Sequence, residues 1–408
     1  MSRGQRVVLS YSGGVDTTAC IPYLKHEMGV SEVITVTADL GQNEDLKSIQ
    51  SKALSAGANE ALVLDVKEEF IKDFAFKALK ANAVYEKQYP LMSALGRPLI
   101  AKLLVQVAEE RQADCVAHGA TGIGNDQVRF DLSVSLLNPD LKVLAPAREW
   151  NMTRSDSVRY IKEHGIQAHV QEEKPFAFDI NILGCNMESG PLDDPWQEPP
   201  EEIFKMTRPM EKTPDTPDYV EIEFQKGLPV ALNGKSLPVV DLFKQLNELG
   251  GKHCIGRVDM IENRVVGIKS REIYEIPGYS LLLQAHRDLE SFILTSEVSR
   301  FKSTVETLYS ELVYNGFWFG PLRKHLDVFI DDTQERISGV VKLKLFKGMA
   351  LVTGRKSPNS LYEYELYKNK KSQGQNAALA EGFIHFWGLS TRTLSKKEKL
   401  NSSQTPKK

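Results

Sequence analysis

Little in this chain suggests disulfide stapling or metal chelation. Its 408 residues include four cysteines, Cys20, Cys115, Cys185 and Cys254. They lie far apart, with no C-x-x-C pair and no histidine spacing of a zinc site, and they read as reduced, mostly buried thiols. The eight histidines are scattered, so no metal-ligating cluster is expected. Long apolar runs are missing as well. No stretch approaches the roughly 20 residues of a membrane span, and MSRGQR leads straight into a strand-like segment without a secretory apolar region. The expectation is a cytoplasmic protein with no membrane partner. Neither sign of charge dominates: 51 basic against 54 acidic residues give a formal charge of −3, which argues against nucleic acid as a partner. What is present is an ordinary globular composition, 41% hydrophobic and 26% charged, over a length that implies two or three domains.

Two common nucleotide signatures are also missing. There is no G-x-x-x-x-G-K-[ST] loop with its terminal lysine and no G-x-G-x-x-G. Instead, residues 8–18 read VLSYSGGVDTT. The apolar run before it predicts a strand, the two glycines break that strand, and Ala19, Cys20, Tyr23 and Leu24 then fall at helical spacing. Strand, glycine turn and helix can bind phosphate. Gly13 and Gly14 allow close backbone approach, Ser10, Ser12, Thr17 and Thr18 supply hydroxyls, and the helix start adds positive partial charge. Alone, such a turn is no more than a turn.

The first half alternates short apolar strands with helical periods: EVITVTADL, EDLKSIQSKALSAGA, ALVLDV, EEFIKDFAFKALKANAV, GRPLIAKLLVQVAEERQA, DCVAHGA, NDQVRFDLSVSLLN and LKVLAPA. This predicts βαβ units and an α/β parallel sheet, with ligands beyond the carboxyl ends of its strands. SGGVDTT and HGATGIGNDQVR each follow a strand, so both can face one site. From about residue 170, KPFAFDINILGCNMESGPLDDPWQEPPEE reads as a long irregular connection. An α+β region with two hairpins and long helices follows. AALAEGFIHFWGLSTRTL then predicts an amphipathic helix with Phe383, Phe386 and Trp387 to one side, and the sequence leaves open whether it packs on its own domain or on another subunit. The final SKKEKLNSSQTPKK reads as a solvated tail. No internal repeat is found.

Five separated segments, SYSGGVDTT, ADLGQNED, YEKQYPLMSALGRPLIAK, HGATGIGNDQVRF and IENRVVGIKSREIYE, together resemble the argininosuccinate synthase family, in its order and at its spacing, from Val7 to about Thr393. The resemblance implies an N-terminal nucleotide domain of the ATP-pyrophosphatase (adenine nucleotide alpha-hydrolase-like) type over 1–168. It further implies a synthetase domain over 169–372, an oligomerisation helix over 373–394 and a polar tail over 395–408. The implied reaction joins citrulline to aspartate with ATP and Mg²⁺ through a citrullyl-AMP intermediate, in a homotetramer. By the same resemblance, Ser10, Tyr11, Ser12, Gly13, Gly14, Asp16, Thr17, Thr18, Ala38 and Gly119 meet the nucleotide. Tyr89, Ser93, Arg97, Thr121, Asn125, Asp126, Arg129, Ala177, Asn186, Glu262 and Tyr274 meet the amino acids. Asp16, Asp126 and Arg129 are the catalytic candidates, and no residue is expected to ligate a metal directly.

This chain departs from the family pattern at several places. Ile123 stands where a lysine is usual in HG-x-TGKGND, Ala177 and Asn186 stand where serines are usual, and Gly96 replaces an alanine before Arg97. A lost hydroxyl partner in a buried pocket costs on the order of 1–3 kcal/mol unless replaced, so a related enzyme acting on another ureido or amide acceptor is the alternative. A non-catalytic nucleotide or amino-acid binder is the third reading, opposed by the retained SGGVDT turn, Asn125, Asp126 and Arg129.

Overall fold

The computed structural model describes residues 5–150, 153–166, 176–368 and 370–404. The boundary expected at 168/169 lies outside the described residues. The chain forms two compact units, residues 1–359 and 360–408.

The first sheet is built from β1 (Arg6–Ser10), β2 (Glu32–Asp39), β3 (Glu60–Asp65), β4 (Cys115–Ala117) and β5 (Lys142–Leu144). All neighbours pair in parallel, in the order β3-β2-β1-β4-β5. Helices α1 (Val15–His26), α2 (Leu46–Ser55), α3 (Met92–Glu110), α4 (Asp126–Leu137) and α5 (Arg154–Glu163) connect and follow these strands. The six central residues of β2 are all buried, as a strand covered on both faces requires. From β1 the chain builds β2 and β3 on one side, then β4 and β5 on the other. The topological switch therefore falls between β1 and β4, and the loops leaving those two strands are SGGVDT and HGATGIGND. The expected parallel α/β sheet is present.

A second, antiparallel sheet of four strands overturns the irregular connection expected after residue 170. Within it, β6 (Ala177–Asn181) and β7 (Gly184–Glu188) form a hairpin whose polar, alternating residues concealed a strand pattern. Its edge continues into β12 (Lys269–Glu275) and β11 (Arg257–Asn263). The register aligns Asp179, Asn186, Tyr274 and Val258 across the sheet. With the two-residue side-chain period, Glu188, Glu272 and Glu262 share that face. The other face presents Phe178, Ile180, Cys185, Met187 and Ile273 to a small core with Leu192 and Ile203. One face is apolar and packed, so the polar face is left for chemistry.

A third, antiparallel sheet contains β8 (Asp218–Gln225), β9 (Leu228–Leu232), β10 (Lys235–Ser236), β13 (Gly339–Phe346) and β14 (Met349–Lys356). Between its halves lie α6 (Val239–Lys252), α7 (Pro277–Ile293), α8 (Ser296–Tyr314) and α9 (Pro321–Gln334). Shorter helical turns, among them a π-helical turn at Phe70–Ala75, fill the remaining connections. All four cysteines are buried and unpaired.

The second unit contains α10 (Lys370–Trp387) and α11 (Leu389–Gln404). The segment expected as a solvated polar tail is helical through Gln404 and exposed over residues 395–400. Phe383, Ile384, Phe386 and Trp387 are exposed, each by more than half its surface.

Candidate functional site

The first cavity, about 510 Å³, opens at the carboxyl ends of β1 and β2. Gly13 has a φ of +75°, and a Cβ there would lie 2.9 Å from Ile49 Cγ1, so both the backbone and the close packing of α2 call for glycine. Gly14 caps α1 without a side-chain bond, which leaves the amides of the first turn available to an anion. The loop's hydroxyls brace one another: Ser12 Oγ lies 3.1 Å from Thr17 Oγ1, and Tyr11 Oη lies 3.0 Å from Thr18 Oγ1. On the far side, Leu40 N donates to Gln42 Oε1 at 2.8 Å, while Gln42 Nε2 donates to the Ala38 carbonyl at 3.0 Å. Ile182 N donates to Leu40 O at 2.8 Å and ties the β6–β7 hairpin to this rim.

The second cavity, about 190 Å³, lies between the β4–α4 loop, the start of α3 and the polar face of the second sheet. The two cavities share Arg97 and Asp179 in their walls. Arg97 donates from Nε to Asp126 at 2.7 Å and from Nη2 to Asp179 at 2.6 Å. Burial opposes charge on Asp126, but Arg97 and Arg129 outweigh it and hold the carboxyl below its ordinary range. Arg129 donates through Nε to Tyr314 O and through Nη1 to Asp126 Oδ1, both at 2.9 Å. Asn125 is fully engaged: Nδ2 donates to Tyr314 Oη and Oδ1 accepts from Val265 N, both at 2.8 Å. Tyr89 stacks on Tyr274 at 4.3 Å, and its hydroxyl accepts the Ser93 and Ala94 amides at the start of α3. Glu262 accepts from the hydroxyls of Tyr274 and Tyr314, although burial still pushes its carboxyl up.

Arg129 Nη2, Ser93 Oγ and Asn186 Oδ1 are buried without a hydrogen-bond partner among the described residues. All three belong to residues lining the second cavity. Unpaired buried polar atoms are unfavourable alone, and a small polar ligand would satisfy them together.

Of the residues expected from the sequence, Ser10, Tyr11, Ser12, Gly13, Gly14 and Ala38 line the first cavity. Tyr89, Ser93, Arg97, Thr121, Asn125, Asp126, Arg129, Asn186, Glu262 and Tyr274 line the second. Asp16, Thr17, Thr18, Gly119 and Ala177 line neither. Asp16 accepts from Ser157 Oγ at 2.7 Å, and Gly119 packs so tightly that a Cβ would lie 2.8 Å from Thr17 Cγ2. Ala177 pairs with Glu188 at the edge of the polar face. Ile123 is 70% exposed outside both linings, and its carbonyl accepts from Arg264 at 3.5 Å.

Sequence reasoning missed Asp179, Glu188, Arg264 and Glu272 in the second cavity and Glu44, Ser48 and Lys52 in the first. The available signal was the alternation of polar residues in GCNME and KSREIYE. Arg264 Nη2 bridges Glu188 at 2.5 Å and Glu272 at 2.7 Å. Burial, followed by repulsion from Glu272, raises the Glu188 carboxyl to about 7 despite Arg264.

A parallel-sheet nucleotide domain whose switch-point loops share a site with an antiparallel, polar-faced sheet defines an ATP-dependent enzyme acting on small polar substrates. Comparison gives the particular family. Family models described as the Arginosuccinate synthase N-terminal HUP domain and C-terminal domain match residues 6–167 and 176–394. The argininosuccinate synthase of Crocosphaera subtropica is 58% identical over 399 residues, covering 98% of this chain and 100% of that protein. Those of Trichodesmium erythraeum and Synechocystis sp. are each 56% identical over 397 residues, covering 97% of this chain and 99% of theirs. The chain belongs to the argininosuccinate synthase family, and it is a carbon–nitrogen ligase rather than a non-catalytic binder.

Proposed function

We propose that this chain joins L-aspartate to L-citrulline, converting ATP to AMP and pyrophosphate through a citrullyl-AMP intermediate. The observation that carries the reading is the shared Arg97–Asp179 wall between a loop-lined anion cavity and a smaller cavity bearing unpaired polar atoms. A nucleotide in the first would bring its α-phosphorus to that wall, where a ureido oxygen from the second can attack it. Negative charge then grows on the departing pyrophosphate, and the free α1 amides with Gly13 and Gly14 stabilise it. The aspartate amine next displaces AMP from the ureido carbon. Arg129 offers its free Nη2 to substrate while Asp126 and Tyr314 fix its plane, and Asn125 and Ser93 complete the wall.

Among the described residues no group of three or more His, Cys, Asp or Glu could hold a metal ion. Mg²⁺ fits as an ion carried by the nucleotide phosphates, where it would neutralise charge on the leaving group. We also assign the enzyme to the cytoplasm, in keeping with its four unpaired buried cysteines, and to a homotetramer assembled partly through the exposed apolar residues of α10.

The test is pyrophosphate release by the purified chain with ATP, Mg²⁺ and aspartate, comparing citrulline with other ureido and amide compounds. Efficient turnover is expected with citrulline. Silence with citrulline and turnover with another acceptor would overturn the reading. Light scattering of the same preparation tests the tetramer.

A further inference from the structure

The first cavity is poorly supplied with positive charge for a triphosphate. Its charged lining consists of Glu44, Asp45 and Asp179 against Lys52 and Arg97. Arg97 is committed to Asp126 and Asp179. Ile123, where a lysine is usual in the resembled pattern, faces solvent and contributes no charge. Lys52 is thus the one cation of this cavity free of an ion pair among the described residues. Burial raises the Glu44 carboxyl, and Lys52 opposes that shift without pairing with it.

The placement of Lys52 is specific. It lies on α2, whose N-cap Asp45 accepts from Ser48 N at 3.2 Å. The same helix sets Ile49 against Gly13. Ser48 and Lys52 are four residues apart and share the helix face that lines the cavity. Lys52 is half-buried, and helical side chains lean toward the helix N-terminus, which puts its stem on the side of Ser48 in a cavity that the Ser12–Gly14 turn also lines. A flexible ammonium there is suited to a phosphate as a mobile point charge.

We propose that Lys52 binds the β- and γ-phosphoryl oxygens of the nucleotide and the pyrophosphate formed from them, supplying the cation that the β4–α4 loop lacks. The inference rests on the ligase reading but can be tested separately, because pyrophosphate binding requires no turnover. Calorimetry with Mg²⁺ present would compare pyrophosphate and AMP binding to the full chain, to Lys52→Gln and to Lys52→Arg, with melting temperatures confirming the fold. Lys52→Gln is expected to weaken pyrophosphate about 10- to 100-fold, the range of a charge-assisted hydrogen bond, and to raise the KM for ATP similarly. AMP binding should be unchanged, and Lys52→Arg should recover most of the loss. A folded Lys52→Gln protein with unaltered pyrophosphate binding would overturn the proposal, as would equal weakening of AMP and pyrophosphate. If citrulline were not the acceptor, the calorimetric result would stand.

Discussion

Arg97 and Asp179 meet at 2.6 Å in the wall common to both cavities, and the same guanidinium holds Asp126 at 2.7 Å. One cation therefore fixes two carboxylates from different elements, the start of α4 and strand β6. Arg97→Met would leave both carboxylates facing each other without it. The expected result is a fall in stability of about 3 kcal/mol at neutral pH, measured by urea unfolding, because breaking such a pair strands its partners. The sign with pH follows from Asp126, which is held low in the folded protein. Its contribution is present above the ordinary carboxylate pKa and is lost as pH falls through the depressed value. The variant should therefore be closest to wild type in acid and furthest from it near neutrality.

Arg129 makes a different use of its fork. Two of its nitrogens are held by Tyr314 O and Asp126 Oδ1, and Nη2 is buried beside the cavity that Arg129 lines, without a partner among the described residues. Lysine cannot make these bonds and present a further donor at once. Arg129→Lys should lower kcat/KM for the amino-acid acceptor about 100-fold, equivalent to roughly 3 kcal/mol of charge-assisted hydrogen bonding, with little change in the KM for ATP. Steady-state kinetics with each substrate varied in turn would check this. Near-normal values would remove Arg129 from the substrate contacts.

Gly119 lines neither cavity, but the switch point depends on its small size. A Cβ would sit 2.8 Å from Thr17 Cγ2. Thr17 is β-branched with few alternative rotamers, so the start of α1 must shift instead. Gly119→Ala is expected to lose about 1–3 kcal/mol of stability and to raise the KM for ATP more than that for aspartate or citrulline. Thermal melts with and without ATP would separate the two effects, the nucleotide giving less protection to the variant.

The parallel sheet was legible because its strands are short apolar runs bounded by glycine turns and followed by helical periods. The loops after β1 and β4 could be placed at one site from topology alone. The second sheet was hidden for a physical reason: Asp179, Asn186, Glu188, Glu262 and Glu272 are turned toward a ligand cavity, so their strands lack the apolar excess by which strands are usually read. The pattern of GCNME, with Cys185 and Met187 inward and Asn186 and Glu188 toward the cavity, was interpretable only once the fold supplied a second partner strand. Lys52 was invisible for another reason, since a lysine in an amphipathic helix ordinarily marks the solvated face. At the C-terminus, polarity alone suggested a solvated tail, whereas the run Lys396, Lys397, Glu398, Lys399 and Leu400 consists of good helix formers and carries α11 onward to Gln404.

The hidden sheet also leads to a pH prediction. Arg264 Nη2 is shared by Glu188 and Glu272, so two carboxylates compete for one nitrogen. Burial and the charge of Glu272 raise Glu188 to about 7. Glu188 therefore carries less negative charge below pH 7 than above it. An acceptor amino acid carries an α-ammonium group, which the ionised pair would attract. If this face receives that group, kcat/KM for the acceptor should rise through a limb near pH 7, a parameter that reports the free enzyme. Glu188→Gln should remove the limb and lower the high-pH plateau, while the KM for ATP keeps its own pH dependence. A limb that persists in Glu188→Gln would assign it to another group and leave Glu188 as a partner of Arg264 alone.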